Sequence, residues 1–153
     1  MSVWIFPIRV AGEKEDYYYD LDRALEKISK RTIYQSQGRI RNIDVGDIVY
    51  FYEGVPVSAI GWKCRVVAVK VPHEKTADID ERPFEHGDPG IDDYYIKVTA
   101  ICRYDGEARK KLSRDKMIEN GLNFTIRSPF RPQGELLKYI NSVEPSVKYN
   151  DQE

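Results

Sequence analysis

Residues 38–54 read GRIRNIDVGDIVYFYEG, and the way this stretch divides decides the fold. Its second half alternates Ile48, Tyr50 and Tyr52 against Val49, Phe51 and Glu53. That is the period of two of a β-strand, with bulky groups on both faces. Gly46-Asp47 supplies a turn into the strand. The first half sets Arg39, Arg41 and Asn42 just ahead of that turn. Such a cluster is either a solvated loop or the rim of a pocket for a flat, polar, anionic ligand.

The rest of the chain supplies partners for the strand. VWIFPI at 3–8 is short, β-branched and aromatic, hence a first strand. In YDLDRALEKISKR, Asp20 is a plausible N-cap, and Leu21, Ala24, Leu25 and Ile28 recur at helical spacing. AIGWKCRVVAV places Ile60, Trp62, Cys64, Val66 and Ala68 on one face of a strand and Lys63 and Arg65 on the other. A long acidic loop over 72–93 leads to a further strand, DYYIKVTAIC. Ser113 then caps a short helix, with Leu112 and Met117 as a hydrophobic staple and Gly121 as its stop. NFTIRS is an extended run, and PQGELLKYIN a last helix with Leu136, Leu137 and Ile140 inward.

The expected fold is α+β: a small mixed β-barrel with about three flanking helices, near 20–31, 114–120 and 133–141. Ile60, Cys64, Val66, Val98 and Ala100 are its expected core. Residues 1–142 form the expected domain, and 143–153 a polar tail or linker. With 153 residues and 32% charged side chains of mixed sign, one globular domain is the prior. No apolar run approaches the roughly 18–20 residues of a membrane span. WIFPI reads as a strand rather than a leader, so a cytoplasmic monomer is expected. Cys64 and Cys102 both fall in strand-like runs, which favours buried thiols over a disulfide or metal pair.

A net charge of −1 conceals segregation. Residues 74–93 hold eight acids against Lys75 and Arg82, leaving the remainder at +5. A near-neutral total can hide a basic face. There is no phosphate-cradling glycine loop, no Gly-x-Ser-x-Gly elbow and no HExxH. His73 and His86 lie in the acidic loop, whose spacing fails the EF-hand pattern; a solvated loop is the simpler reading, and neither metal nor cofactor is expected. Two histidines leave little for nucleophile–histidine catalysis, so a binding module is expected rather than an enzyme.

The aromatic residues carry more information. Trp4 and Phe6 share a strand face, Tyr50 and Tyr52 another, and Trp62 a third. Each has core packing as its ordinary role. An extruded nucleobase, however, needs an aromatic sandwich, hydrogen bonds at its edge and cations for the flanking phosphates. On that reading Trp4, Phe6, Asn42, Tyr52, Trp62 and Ser128 are the base-binding candidates. Arg39, Arg41, Lys110, Lys111, Arg127 and Arg131 are the phosphate-binding candidates, bordering one concave face with the 74–93 loop away from it or at its rim.

The order of these motifs resembles the EVE domains of the PUA-like superfamily, relatives of YTH and ASCH domains. VWIF, the GRIRN segment, VGDIVYFYEG, AIGWKCRVVAV and the closing KLSRDKMIENGLNFTIRSPFRPQGELLKYI are similar to that family's elements in the same order, over roughly residues 3–141. Val3-Trp4 and Trp62 stand where the family usually has Tyr-Trp and a small residue. The resemblance implies a bent barrel that receives a flipped, modified base, such as 5-methylcytosine in DNA, with a nuclease as a possible partner. A reader of modified RNA is the alternative within the same class. An ASCH-type hydrolase would need a lysine, a hydroxyl and a carboxylate to converge, for which Lys63, Thr99 and Glu53 are the available types. A protein-interaction module acting through the acidic loop is a further alternative.

Overall fold

The computed structural model describes residues 1–13 and 15–149. Among the described residues, eight strands and four α-helices follow one another in mixed order. They are β1 (Val3–Ile8), β2 (Tyr18–Tyr19), α1 (Leu21–Lys27), β3 (Thr32–Ser36), β4 (Ile48–Glu53), β5 (Ala59–Pro72) and β6 (Glu85–His86). After them come β7 (Tyr94–Arg103), α2 (Gly106–Lys111), α3 (Arg114–Glu119), α4 (Gly134–Ser142) and β8 (Val147–Lys148). The main sheet runs β1-β4-β5-β7-β3, with β8 added to β7, while β2 and β6 pair separately. β1 and β4 are parallel, with Val3 opposite Ile48 and Ile8 opposite Glu53, and the other described pairs are antiparallel. A parallel pair needs a long crossover, which residues 9–47 provide. Among the described residues no ladder joins β3 back to β1, so the pairing is that of an open sheet, bent by shifts of register in β5.

Both faces of the sheet are covered, which accounts for the bulky alternation in β4. Trp4, Phe6, Val49, Phe51, Trp62, Cys64, Val66 and Val98 pack with Leu21, Ala24 and Leu25 of α1. Ile5, Ile48, Tyr50 and Tyr52 pack with Leu112, Met117, Leu136 and Ile140 from the helical side. Ile60, Cys64, Val66, Val98 and Ala100 are all fully buried. Ile60 nevertheless lies on the opposite face to Trp62. Phe51 faces Trp62 and Tyr52 faces Ile60, so Gly61 is the extra residue of a bulge, and the inside–outside phase reverses there. A Cβ at Gly61 would run into the Glu53 carboxylate and the Arg109 guanidinium, which pass directly over it.

The Gly46-Asp47 turn also ties down the first strand. Gly46 sits at φ +94, where glycine is least strained. Asp47 is buried, and its carboxylate accepts from the Ser2 amide at 2.8 Å, the Asp44 amide at 3.0 Å and Trp4 Nε1 at 3.3 Å. Farther along, the Ser113 hydroxyl accepts from the Lys116 amide. Leu112 and Met117 beside it are fully buried. Past the end of α3 the Leu122 amide bonds to the Met117 carbonyl and the Gly121 amide to the Ile118 carbonyl. This is a Schellman ending with Gly121 at φ +112.

Three differences from the sequence reading have local causes. The first helix is shorter than 20–31: it ends at Lys27, and 29–31 form a single 3-10 turn with Lys30 at φ 59. A fourth helix, α2, has no buried residue of its own, so no apolar stripe marked it. Residues 143–149, expected as a polar tail, extend the sheet: β8 pairs with Cys102 and Arg103, and the Tyr149 amide bonds to the Ile101 carbonyl. Tyr149 also lies parallel to Trp62 at 6.4 Å, and the Arg31 guanidinium lies over it. Residues 150–153 lie outside the described residues. Both cysteines are free, with Cys64 buried and Cys102 half-buried. Among the described residues no helix is long and apolar enough to cross a membrane.

Candidate functional site

Most of the aromatic side chains nominated from the sequence are structural. Trp62 is 0% exposed, and its indole Nε1 donates to Asp22 Oδ1 at 2.6 Å. Phe6 is buried edge-on between Trp4 and Phe51. Tyr52 belongs to the buried layer beneath the helices. Trp4 is held by Asp47 on one side and covered by the Arg131 guanidinium, 5.3 Å from the ring centre, on the other. Asn42 and Ser128 are exposed. None of the six lines either of the two cavities described below. The physical reason is the second layer of helices: with both sheet faces covered, aromatics on both are sealed.

Arg39 and Arg41, by contrast, do line a concavity. It measures about 450 Å³ and includes Gln37, Ile40, Lys70 and Tyr94 as well. Three strand ends converge there. Ser36, the last residue of β3, pairs with Tyr95, and Pro72 at the end of β5 pairs with Tyr94 at the start of β7. Gln37 follows β3 directly and is only 3% exposed. Its side chain accepts from the Lys70 amide at 2.7 Å and donates to the Ile40 carbonyl at 2.8 Å. Its backbone donates to the Tyr94 carbonyl at 3.0 Å. One buried amide thus holds the arginine loop against β5 and β7. Lys70 completes the arrangement from a bulged part of β5, at φ 52.

The cleft presents three cations, with Asp93 as the acid lining it. The acidic loop therefore ends against the cleft. Tyr94 is 48% exposed, a large aromatic surface open to solvent beside these cations. A positively charged groove with an aromatic platform is the arrangement that holds phosphates and stacks bases.

The remaining nominated cations lie elsewhere. Lys110 pairs with Glu107 at 3.2 Å on α2, and Lys111 and Arg127 are exposed. Arg131 is engaged with Trp4 and with the Ser2 hydroxyl. None of these four lines the cleft. Sequence reading missed Gln37, Lys70 and Tyr94. Only Tyr94 left a signal: it keeps the inward phase of Ile96 and Val98 but stands at the strand's first position, beyond the core.

Lys63, Thr99 and Glu53, the types a hydrolase would require, each have a different partner. Lys63 lies over the Tyr50 ring at 5.7 Å, and the Thr99 hydroxyl meets that of Thr32 at 2.8 Å. Glu53 is 3.1 Å from Arg109. Burial, with Asp22 close by, pushes the Glu53 carboxyl up to about 7 despite Arg109 and Arg103.

A second, acidic cavity of about 550 Å³ adjoins the cleft across Ser36 and Tyr95. It lies between β3, the start of β7 and the turns following β5.

No model of a known protein family matches this chain, and no curated protein matches it. Among solved structures it is similar to human THYN1 in complex with DNA containing 5-methylcytosine, with a TM-score of 0.54 at 15% identity over 78% of this chain and 74% of that one. It is similar to a hypothetical protein from Leishmania major, with a TM-score of 0.57 at 17% identity over 92% of both chains. ASCH from Zymomonas mobilis gives a TM-score of 0.52 at 10% identity over 93% of this chain and 95% of that one. At such identities the likeness concerns the fold alone: this chain has the mixed α+β, PUA-like fold of the THYN1 and ASCH structures.

Proposed function

We propose that the protein is a nucleic-acid reader of the EVE type that holds a strand in the basic cleft and recognises a modified base, with methylated cytosine in DNA as the leading ligand. The observation that carries this reading is the placement of Arg39, Arg41 and Lys70 around the exposed ring of Tyr94 by the buried Gln37. The THYN1 structure, whose fold is similar, contains DNA with 5-methylcytosine, which favours DNA over RNA. In this arrangement the cations take the phosphates and carry no sequence information, while Tyr94 offers one stacking face to a base. Stacking on one ring returns about 1–3 kcal/mol against an unstacking cost of a few kcal/mol. Single-stranded or mismatched sites are therefore bound more tightly than perfect duplex. A methyl group buried against Ile40 or Tyr94 adds about 0.8 kcal/mol, or roughly fourfold in affinity.

Fluorescence-anisotropy titration with methylated DNA, unmodified DNA and RNA of one sequence tests the reading. The expected order is methylated above unmodified DNA, with both affinities falling as salt rises. Absence of salt-dependent binding to all three would overturn it. An RNA preference would move the protein to the RNA-reading branch of the same class.

A further inference from the structure

The acidic cavity beside the cleft has a different chemistry. Tyr17, Tyr19, Tyr34 and Tyr95 line it, and five carboxylates stand against the single arginine Arg82. Arg82 is itself paired with Asp80 at 2.9 Å. We propose that this cavity binds an organic ammonium ion, an alkylammonium group carried on a flexible stem, at a site separate from the basic cleft and independent of the nucleic-acid reading.

Aromatic faces attract cations through their quadrupole, and ammonium groups of this kind are held in cages of rings and carboxylates. The same field repels phosphate, so a nucleic-acid strand is a poor occupant. Among the described residues no three His, Cys, Asp or Glu side chains are grouped so as to hold a metal ion, which favours a larger, weakly hydrated cation. Glu81 is the charged group with most to gain. Its two oxygens accept from the Tyr19 hydroxyl at 2.6 Å and the Tyr34 amide at 3.2 Å, both neutral donors. Burial, opposed by those bonds and reinforced by Glu85 and Asp78, pushes its carboxyl up to about 7. A cation beside it would relieve that penalty. The molecule already contains one such contact: the Lys97 ammonium lies 5.5 Å from the Tyr34 ring centre and 3.3 Å from Asp78. The volume of about 550 Å³ exceeds one ammonium head and leaves room for its stem.

Isothermal titration of the full chain with choline and with its neutral carbon isostere, 3,3-dimethylbutan-1-ol, tests the charge requirement. Choline is expected to bind at least about tenfold more tightly than the alcohol. Glu81→Gln and Tyr17→Ala should each weaken choline about tenfold while leaving DNA affinity at the cleft unchanged. If circular dichroism shows that Glu81→Gln fails to fold, Glu85→Gln supplies the charge test at the cavity's edge. Titrations with spermidine and with a peptide bearing trimethyl-lysine then separate a free polyamine from a partner's side chain, and binding of either supports the site. Equal affinity for choline and the alcohol, or no binding of any ammonium probe at millimolar concentration, would overturn it.

Discussion

Trp62 Nε1 donates to Asp22 Oδ1 at 2.6 Å, and Asp22 in turn accepts from both terminal nitrogens of Arg109 at 3.0 Å. This chain of bonds ties β5 to α1 and α2. Burial alone would raise the Asp22 carboxyl, yet its bonds from Arg109 and Trp62 hold it below the usual carboxylate range. Trp62 is therefore a structural strut. Trp62→Ala should cost about 3–5 kcal/mol of stability through the cavity it leaves. Trp62→Phe keeps most of the packing and loses the bond to a charged acceptor, costing about 1.5–3 kcal/mol. Urea denaturation measures both. A folded Trp62→Phe protein should keep its nucleic-acid affinity, and a selective loss would restore the indole to the binding site.

Glu53 sits in the same network, 2% exposed and 3.1 Å from Arg109. Its carboxyl rises from an ordinary 4.5 to about 7 because burial and the Asp22 carboxylate outweigh the two arginines. A raised carboxyl pKa means that the native state holds the proton more tightly than the unfolded chain. Its stabilising contribution is full below pH 4.5 and is lost as pH rises to about 7. Glu53→Gln removes this dependence. Relative to the wild type, the variant should gain roughly 2–3 kcal/mol between pH about 4.5 and about 8. Denaturation at both pH values decides it, and a gap that does not move with pH would refute the assignment.

Gln37 is predicted to act on binding without touching the ligand. Gln37→Ala removes its hydrogen bonds to the Lys70 amide and the Ile40 carbonyl, at about 0.5–1.5 kcal/mol for each partly buried bond lost. Arg39, Arg41 and Lys70 all remain, but the loop carrying them is released. Nucleic-acid affinity should fall while the number of phosphate contacts, read as the salt slope, stays near the wild-type value. Circular dichroism and urea denaturation of Gln37→Ala should show the global fold retained. A loss of affinity that merely follows a loss of global structure would point to general destabilisation.

How far the sequence alone could reach is visible in particular residues. Ile48 to Glu53 declared a strand with two covered faces, and the Ser113 cap and Gly121 stop are local signals that the structure repeats. Trp62 and Phe6 could not be sorted from sequence, because an aromatic in the inward phase of a strand looks the same whether a cavity or a neighbouring ring lies beyond it. The decisive neighbours were Asp22 and Phe51, distant in sequence from the aromatics they hold. The bulge at Gly61 reversed the side of Ile60, which no simple alternation reveals. Arg39 and Arg41 were legible as a cluster. Their partner Lys70 was not, since a left-handed lysine in a bulged strand leaves no compositional trace.

Tyr94 and Arg39 should fail in different ways, and the difference tests how the cleft works. Tyr94 is 48% exposed and its ring supplies little to the core, so Tyr94→Ala should leave the fold intact. Removing the stacking face should cost about 1–3 kcal/mol of binding, roughly fivefold to 150-fold. Because stacking involves no counterion release, the slope of log affinity against log salt should not change. Tyr94→Phe retains the ring and should bind nearly as the wild type. Arg39→Ala removes a cation instead, weakening modified and unmodified strands alike and reducing the salt slope by about 1. Titrations at several salt concentrations give both quantities for each variant. If Tyr94→Ala alters the slope, or Arg39→Ala changes the preference for methylated over unmodified DNA, the division between a phosphate-holding arginine and a base-stacking tyrosine is wrong. If neither variant affects binding, nucleic acid does not occupy this cleft.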